Sequence, residues 1–382
     1  MLQSILIQAV SLAPEQTRLI ISMSIYIGIM LLVASSLNFV YGYAGIPFLG
    51  NALPAYLGGM TAGVLITRLT YFIAESAGVR LLPYQTDQGW MLNSEQNAKL
   101  VTGFLEFNPA LCIALIMFTL SLAVVLGAIG GWLISRPALR LRPAYLMMTS
   151  LILASAVNVF GKNILALSGG TMGIFLPDLF AFYNGDRAIP TLILTFIVVL
   201  GVFYILSVAK NSRDFRLLRA IHEDELAPSS SGLDVTKLKG KVILLGSGLI
   251  ALTGALNSIY YLFLVEGAYA SPFWETIPLF MIIVGGLGSQ LGTVIGVVLI
   301  AVFRYMFLIA DVSMIIPFPI SHLEDLLFAL IIFAFLILVP RGIFYRRSHL
   351  EPMVGYVPAS RRGRYDGIKA KYVPTTIKDD TY

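Results

Sequence analysis

Long apolar stretches recur along the whole chain, each close to the length that crosses a bilayer, and charge is confined to the segments between them. A hydrocarbon core of about 30 Å takes about 20 apolar helical residues. The stretches 19–40, 52–73, 109–134, 144–160, 189–208, 242–264, 277–287, 291–310 and 326–339 approach that measure. The apolar start, 2–13, is too short to count and reads either as a surface helix or as part of a further span. Eight to ten spans are therefore expected, in an all-α, polytopic membrane protein. Only 12% of the residues are charged, against about 25% in a soluble domain. A chain with so little charge cannot cover its surface for water, which excludes a soluble enzyme, a nucleic-acid-binding protein and a disordered chain. Its net charge of +5 is better read as membrane topology than as a nucleic-acid footprint. The single cysteine, Cys112, permits no internal disulfide.

The basic residues set the orientation. Nineteen of the 26 Lys and Arg fall in three segments: 135–143, 209–241 and the tail from 340. Basic loops stay on the cytoplasmic side, so these three are expected there, and with them the C-terminus. The remaining loops carry acids instead: Glu75, Asp87, Glu95 and Glu106; Asp178 and Asp186; Glu266 and Glu275; Asp311, Glu324 and Asp325. These are expected outside. The alternation works if 277–287 goes in and 291–310 returns. One transmembrane domain over 1–345 is expected. It would carry an outer loop at 74–108, long enough for a small structure, and a cytoplasmic loop at 209–241. The charged, Gly- and Pro-containing tail 346–382 reads as a flexible cytoplasmic extension.

The interior lacks the groups that drive transport or chemistry in other membrane proteins. No Asp or Glu falls mid-span, and His222, His322 and His349 lie in loops or at span ends. That disfavours a proton relay, an intramembrane zinc protease and a Ser–His hydrolase. Arg304 is the one charge clearly within a span, and it is expected to snorkel toward Asp311. No Gly-x-x-x-x-Gly-Lys-[Ser/Thr] phosphate loop exists. No cofactor is expected in this chain. If ATP drives it, partner subunits must hold the ATP and magnesium.

Glycine takes the place of charge. Gly59 and Gly63, Gly127 and Gly131, and Gly288, Gly292 and Gly296 repeat at four-residue spacing, which lets helix backbones approach closely in lipid. Three segments look like more than packing. They are Gly42-Tyr43-Ala44-Gly45-Ile46-Pro47-Phe48-Leu49-Gly50-Asn51, Ser168-Gly169-Gly170-Thr171-Met172-Gly173, and Gly285-Gly286-Leu287-Gly288-Ser289-Gln290-Leu291-Gly292. Non-helical backbone at membrane depth survives only where protein or a water-filled cavity covers it. Such breaks often mark transport paths, and ordinary kinks are the other reading. Candidate path residues are Asn38, Gly42, Tyr43, Gly45, Asn51, Ser168, Gly169, Gly170 and Thr171. Thr149, Asn158 and Asn257 are further polar candidates, for which interhelical hydrogen bonding is the competing role.

The segment 212–225 reads as a short amphipathic helix. Phe215, Leu218 and Ile221 share one face at three-residue spacing, with Arg213, Arg216 and Arg219 beside them. Two roles stand open: a basic helix lying on anionic lipid, or a docking element for a cytoplasmic partner. The acidic run at 223–225 weighs against lipid alone.

In these segments the chain resembles the permease subunits of branched-chain amino acid ABC importers, closer to the LivM type than to its LivH companion. Leu37-Asn38 with Gly42-Tyr43-Ala44-Gly45, Ser168 to Ile174, the run 212–239, Thr253-Gly254-Ala255-Leu256, Gly285 to Gly292 and Pro340-Arg341-Gly342 carry the resemblance in order, over about residues 20–345. Departures occur at Ile46-Pro47, where the family usually has Gln, and at Asn51, where it usually has His. The resemblance implies an all-helical permease that pairs with a second permease. Two cytoplasmic ATPase subunits and an extracytoplasmic substrate-binding protein complete the complex, in the cell membrane of a prokaryote. Carried over onto this chain, it implies an ATPase-coupling role for Arg213, Phe215, Arg216, Leu218, Arg219, Ala220, Ile221, Glu223 and Glu225. The 42–51 and 168–174 segments would lie near the path. Branched-chain or other hydrophobic amino acids are the expected cargo, with urea, amides or sugars as the alternative. An ATP-independent channel and a membrane scaffold are the rival classes.

Overall fold

Among the described residues, six of the apolar stretches form helices long and apolar enough to cross a bilayer, and a seventh element is a bent pair. These come from a computed structural model of the chain. It describes residues 14–309 apart from 85, 165–167, 184, 224–233 and 270–272, with scattered positions between 329 and 343. The chain divides into two units, Met1–Tyr345 and Arg346–Tyr382; the second lies outside the described residues, as does most of 326–339.

Helix α1 (Pro14–Leu37) runs straight into a π-helical turn, Asn38–Tyr43. The backbone is non-helical over 45–51. Helix α2 (Ala52–Met60), a second π-helical turn (Thr61–Ile66) and α3 (Thr67–Ser76) follow as one span. Two short helices, α4 (Asp87–Leu92) and α5 (Ser94–Glu106), fill the loop at 74–108. Then come α6 (Pro109–Ala138), α7 (Pro143–Asn163) and α8 (Ala188–Lys210). A short helix α9 (Arg213–Glu223) precedes α10 (Val235–Tyr261). The bent pair is α11 (Thr276–Gly285) with α12 (Gln290–Ile309). Strands β1 (Ile174–Phe175) and β2 (Phe263–Leu264) pair antiparallel, Ile174 opposite Leu264.

Helix α10 is the axis of the first unit. In its apolar window 83% of the residues are buried, against 22% in α8. It gets that close to its neighbours because the contact points are small. A Cβ on Gly127 of α6 would fall 2.0 Å from Ala251 Cβ, and one on Gly131 would fall 2.0 Å from Ser247 Oγ. On the other side, a Cβ on Gly58 of α2 would fall 1.8 Å from the Ala251 carbonyl oxygen, and one on Gly254 1.9 Å from that of Ala55. These are backbone-to-backbone contacts, the close approach that small residues permit in lipid. Gly59 and Gly63 serve otherwise: they make room for the Tyr269 ring and the Leu264 side chain, beyond the end of α10. That end is closed by Leu262 in the left-handed region (φ 52°). The Arg187 guanidinium donates to the Ile259 and Tyr260 carbonyls, a cation where the helix dipole is negative.

The stretch 277–287 forms a helix of only 10 residues, about 15 Å long and half the thickness of the hydrocarbon core. It turns back through 120° into α12. Gly285, Gly292 and Gly296 bring the two backbones together, since a Cβ on Gly285 would lie 2.0 Å from the Gly292 carbonyl oxygen. What reads as two expected spans is thus a half-helix and its return.

The loop at 74–108 does carry a small structure. Tyr71, Tyr84 and Trp90 pack edge to face, and Arg68 stacks 4.6 Å from the Trp90 ring centre. The Asn97 amide pairs with both backbone groups of Leu82, at 2.8 and 3.1 Å. Burial and the Glu75 carboxylate beside it push the Tyr84 phenol above its ordinary value.

Candidate functional site

The first glycine break folds onto the third. Asn38 opens the π-helical turn and is 1% exposed. Its Nδ2 donates to the Ser289 carbonyl at 3.1 Å and to Thr293 Oγ1 at 2.7 Å, while its Oδ1 accepts from Gly288 N at 2.9 Å. One buried amide therefore spends all its strong bonds on the turn between α11 and α12. Gly42 is required one turn on: a Cβ there would stand 1.9 Å from Asn38 Oδ1 and 2.6 Å from Gly288 N. Gly286 and Gly288, at φ 111° and 75°, shape the receiving turn. Gly45, at φ 67°, turns the chain out of the helical segment.

The same π-helical turn holds α9. The Phe215 ring stacks on Phe39, with centres 5.1 Å apart, and meets Tyr43 edge to face at 6.2 Å. The Lys210 ammonium lies 3.9 Å from the centre of the Tyr43 ring and donates to Gln290 Oε1 at 2.7 Å. Lys241 of α10 reaches Asp214 at 2.6 Å. Phe215 and Leu218 are buried, at 3% and 1% exposure, whereas Arg213 and Arg216 are exposed. The apolar face expected of this helix is thus turned onto the chain's own core, and its arginines face outward. Arg219, Ala220, Ile221 and Glu223 continue the helix, with side chains outside the described residues, and Glu225 lies outside them altogether. At the start of α10, Asp234 accepts from Lys237 N at 3.0 Å. That bond, reinforced by the Lys237 side chain, holds its carboxyl below the ordinary range.

Replacing Phe215 by alanine is expected to loosen α9 alone. Removing a buried phenylalanine costs about 3–5 kcal/mol, and Phe215 is the ring that stacks this helix on the π-helical turn. Faster amide exchange over 211–223, with α10 unchanged, is the readout. Unchanged exchange at α9 would show that the stack does not anchor it.

The second constellation lies along the seam between α2 and α7. Ser150 Oγ of α7 accepts from Leu49 N at 3.1 Å, and Gly50 has the Ser150 carbonyl oxygen 2.8 Å from where a Cβ would stand. Asn51 is 1% exposed, and among the described residues its Nδ2 has no hydrogen-bond partner. Further along, Tyr56 is also 1% exposed. Its hydroxyl presses on Gly161, where a Cβ would stand 2.1 Å away. It stands beside Ser168 without reaching hydrogen-bond geometry. Ser168 Oγ donates instead to the Gly161 carbonyl at 2.7 Å. Gly169, Gly170 and Gly173, all with φ between 62° and 72°, make the tight turn that follows, and Thr171 on it is exposed.

The expected path residues therefore divide. Asn51 and 168–171 lie along the α2–α7 seam. Asn38, Gly42 and Tyr43 form a joint between α1, the α11–α12 turn and α9. Nothing in the sequence marks Tyr56, since a tyrosine in an apolar helix carries no signal of its surroundings. Thr149 is half-buried and Asn257 buried. The Asn158 side chain and Asp311, the expected partner of Arg304, lie outside the described residues.

At the opposite end from α9, acids gather: Arg18 pairs with Asp186 at 3.3 Å, and Lys162 stands 4.0 Å from Glu266. A cavity of about 350 Å³ opens there between α5 and β1, lined by Glu95, Lys99, Thr102, Asp178, Phe175 and Leu262 among others. Burial against Gly59, Tyr56 and Trp274 pushes the Tyr269 phenol up to about 12. It therefore stays protonated and donates to the Gly254 carbonyl at 2.8 Å.

Comparison with known proteins gives this geometry a context. A family model described as the branched-chain amino acid transport system permease component matches residues 19–339. The chain is 28% identical over 337 residues to the probable branched-chain amino acid transport permease protein LivM of Methanocaldococcus jannaschii, covering 86% of this chain and 94% of that protein. It is 27% identical over 216 residues to the high-affinity branched-chain amino acid transport system permease protein LivM of Salmonella typhimurium, 48% of this chain and 49% of the relative. The LivH permease of the same organism is 26% identical over 192 residues, 47% of this chain and 61% of the relative. No solved structure matches the chain.

Proposed function

The chain belongs to the branched-chain amino acid transport permease family, and from that premise we propose that it is the membrane-spanning subunit of an ATP-binding cassette importer for branched-chain or other hydrophobic amino acids. The observation that carries this reading is the joint at Asn38. A short helix with exposed arginines is stacked, through Phe215, on the turn that also clamps the α11–α12 break. A push on α9 thereby reaches a glycine-shaped break inside the membrane domain without any ionisable relay.

In this reading α9 and the basic loops lie in the cytoplasm, and the acidic end faces out. Two ATPase subunits hold ATP and magnesium and engage α9 through Arg213 and Arg216. A second permease completes the pair, and a binding protein delivers the solute from outside. A permease fed in this way needs no tight site of its own. It needs a path that a zwitterion enters and leaves, which small polar groups and backbone supply.

The test is reconstitution with these partners in proteoliposomes, measuring uptake of radiolabelled leucine. ATP-dependent uptake is expected, and uptake with the ATPases left out would overturn the reading. Arg213→Glu with Arg216→Glu is expected to reduce ATPase co-purification by about tenfold or more, since reversing charges across an interface costs several kcal/mol, with membrane insertion intact. Normal co-purification would remove α9 as the docking element.

A further inference from the structure

Asn51 stands where a helix begins inside the fold rather than at its surface. The chain is non-helical up to it, and α2 starts at Ala52. Ala52, Leu53 and Pro54, the first turn of α2, are all buried. A helix start leaves backbone N–H groups without partners inside the helix and carries the positive end of the helix dipole. Asn51 does not cap it, and its side-chain Nδ2 has no partner among the described residues. A buried donor without a partner destabilises the fold, which a chain keeps only where something else repays it. Pro54 has no N–H and Ala55 N is bonded to the Asn51 carbonyl, so the donors at this start are the Ala52 and Leu53 N–H groups and the Asn51 amide; what fits them is an acceptor, and the dipole favours one that is negative.

We propose that Asn51 and the start of α2 bind the carboxylate of the transported amino acid. This rests on the transport function proposed above and adds to it the group that is recognised. The site is closed in this structure, since Asn51 is 1% exposed, so the solute reaches it only when the seam between α2 and α7 parts. Leu49 and Gly50, held against Ser150 of α7, immediately precede the site, so opening the seam and exposing the donors are one event.

The experiment compares Asn51→Asp and Asn51→His in the full reconstituted complex, with leucine as the probe. Asn51→Asp keeps the shape and opposes the carboxylate. It is expected to lower ATP-driven uptake at least about tenfold, the scale of one charge-assisted hydrogen bond, while still co-purifying with every partner. Asn51→His restores an N–H donor and is expected to recover uptake to within about threefold of the parent. Wild-type uptake by Asn51→Asp, equal loss in both variants, or failure of Asn51→Asp to assemble would each overturn the assignment. If the parent complex takes up leucine and the variants behave in one of those ways, the transport reading stands and only this site falls. A parent complex that takes up no amino acid overturns both.

Discussion

A chain carrying Gly58→Val is expected to insert into the membrane and fail to assemble its central helix pair. The Cβ alone would stand 1.8 Å from the Ala251 carbonyl oxygen, with the Ala251 carbonyl carbon and Cα at 2.5 and 2.8 Å. These are backbone atoms, and no rotamer change relieves the clash. The opposing contact is just as tight, since Gly254 meets the Ala55 carbonyl in the same way, so α2 cannot slide along α10 to make room. Overpacking typically costs about 1–3 kcal/mol where side chains can adjust, and this site should exceed that range. The check is the fraction of protein that stays monodisperse in mild detergent after brief heating. A valine variant as resistant as the parent would mean that the two helices separate freely. Gly201 is the control: open space surrounds the place where its Cβ would stand, so Gly201→Ala should leave that fraction unchanged.

Asn38→Leu should have the second largest effect, and a different kind. Hydrogen bonds between membrane helices average only about 0.6 kcal/mol when measured in pairs. The loss of two donated bonds is therefore modest, and Thr293 keeps its bond to the Ser289 carbonyl at 2.9 Å. The larger penalty is the Gly288 N–H, which loses Oδ1 in a setting with little water, at about 1–3 kcal/mol. A total of about 2–4 kcal/mol is expected, spent at the α11–α12 turn. The variant should fold but lose most ATP-driven uptake while still binding the ATPases, because the joint between α9 and the turn is cut. Amide exchange at 286–293 should rise with exchange along α10 unchanged. Full uptake by the variant would separate the clamp from transport.

These two residues show what kind of information the sequence holds. The number and placing of most spans were legible, because apolar length and charge position are properties of single segments. The amphipathic character of 212–223 was legible for the same reason. Its direction was not: periodicity places Phe215 and Leu218 on one face, but only Phe39 and Tyr43, some 170 residues earlier, determine that this face turns inward. The glycine breaks were visible as interruptions, and their pairing was invisible. Nothing local to Gly42 announces that Gly288 stands against it, and nothing in Gly58 names Ala251. The stretch 277–287 misled in the usual way for a half-helix, since its composition matches a span and only the return through Gly286 reveals its depth.

The amino-acid sequence by itself thus determined the solvent, the number of crossings to within a few, the basic and acidic ends, and the absence of a nucleotide-binding loop. Each follows from counting along the chain. The tertiary structure decided which breaks meet, which side of α9 is free, and that the buried donor of Asn51 has no partner among the described residues. Such facts depend on distances between residues far apart in the chain. They are set by backbone surfaces fitting together, and a backbone surface is the same at every position until another one is laid against it.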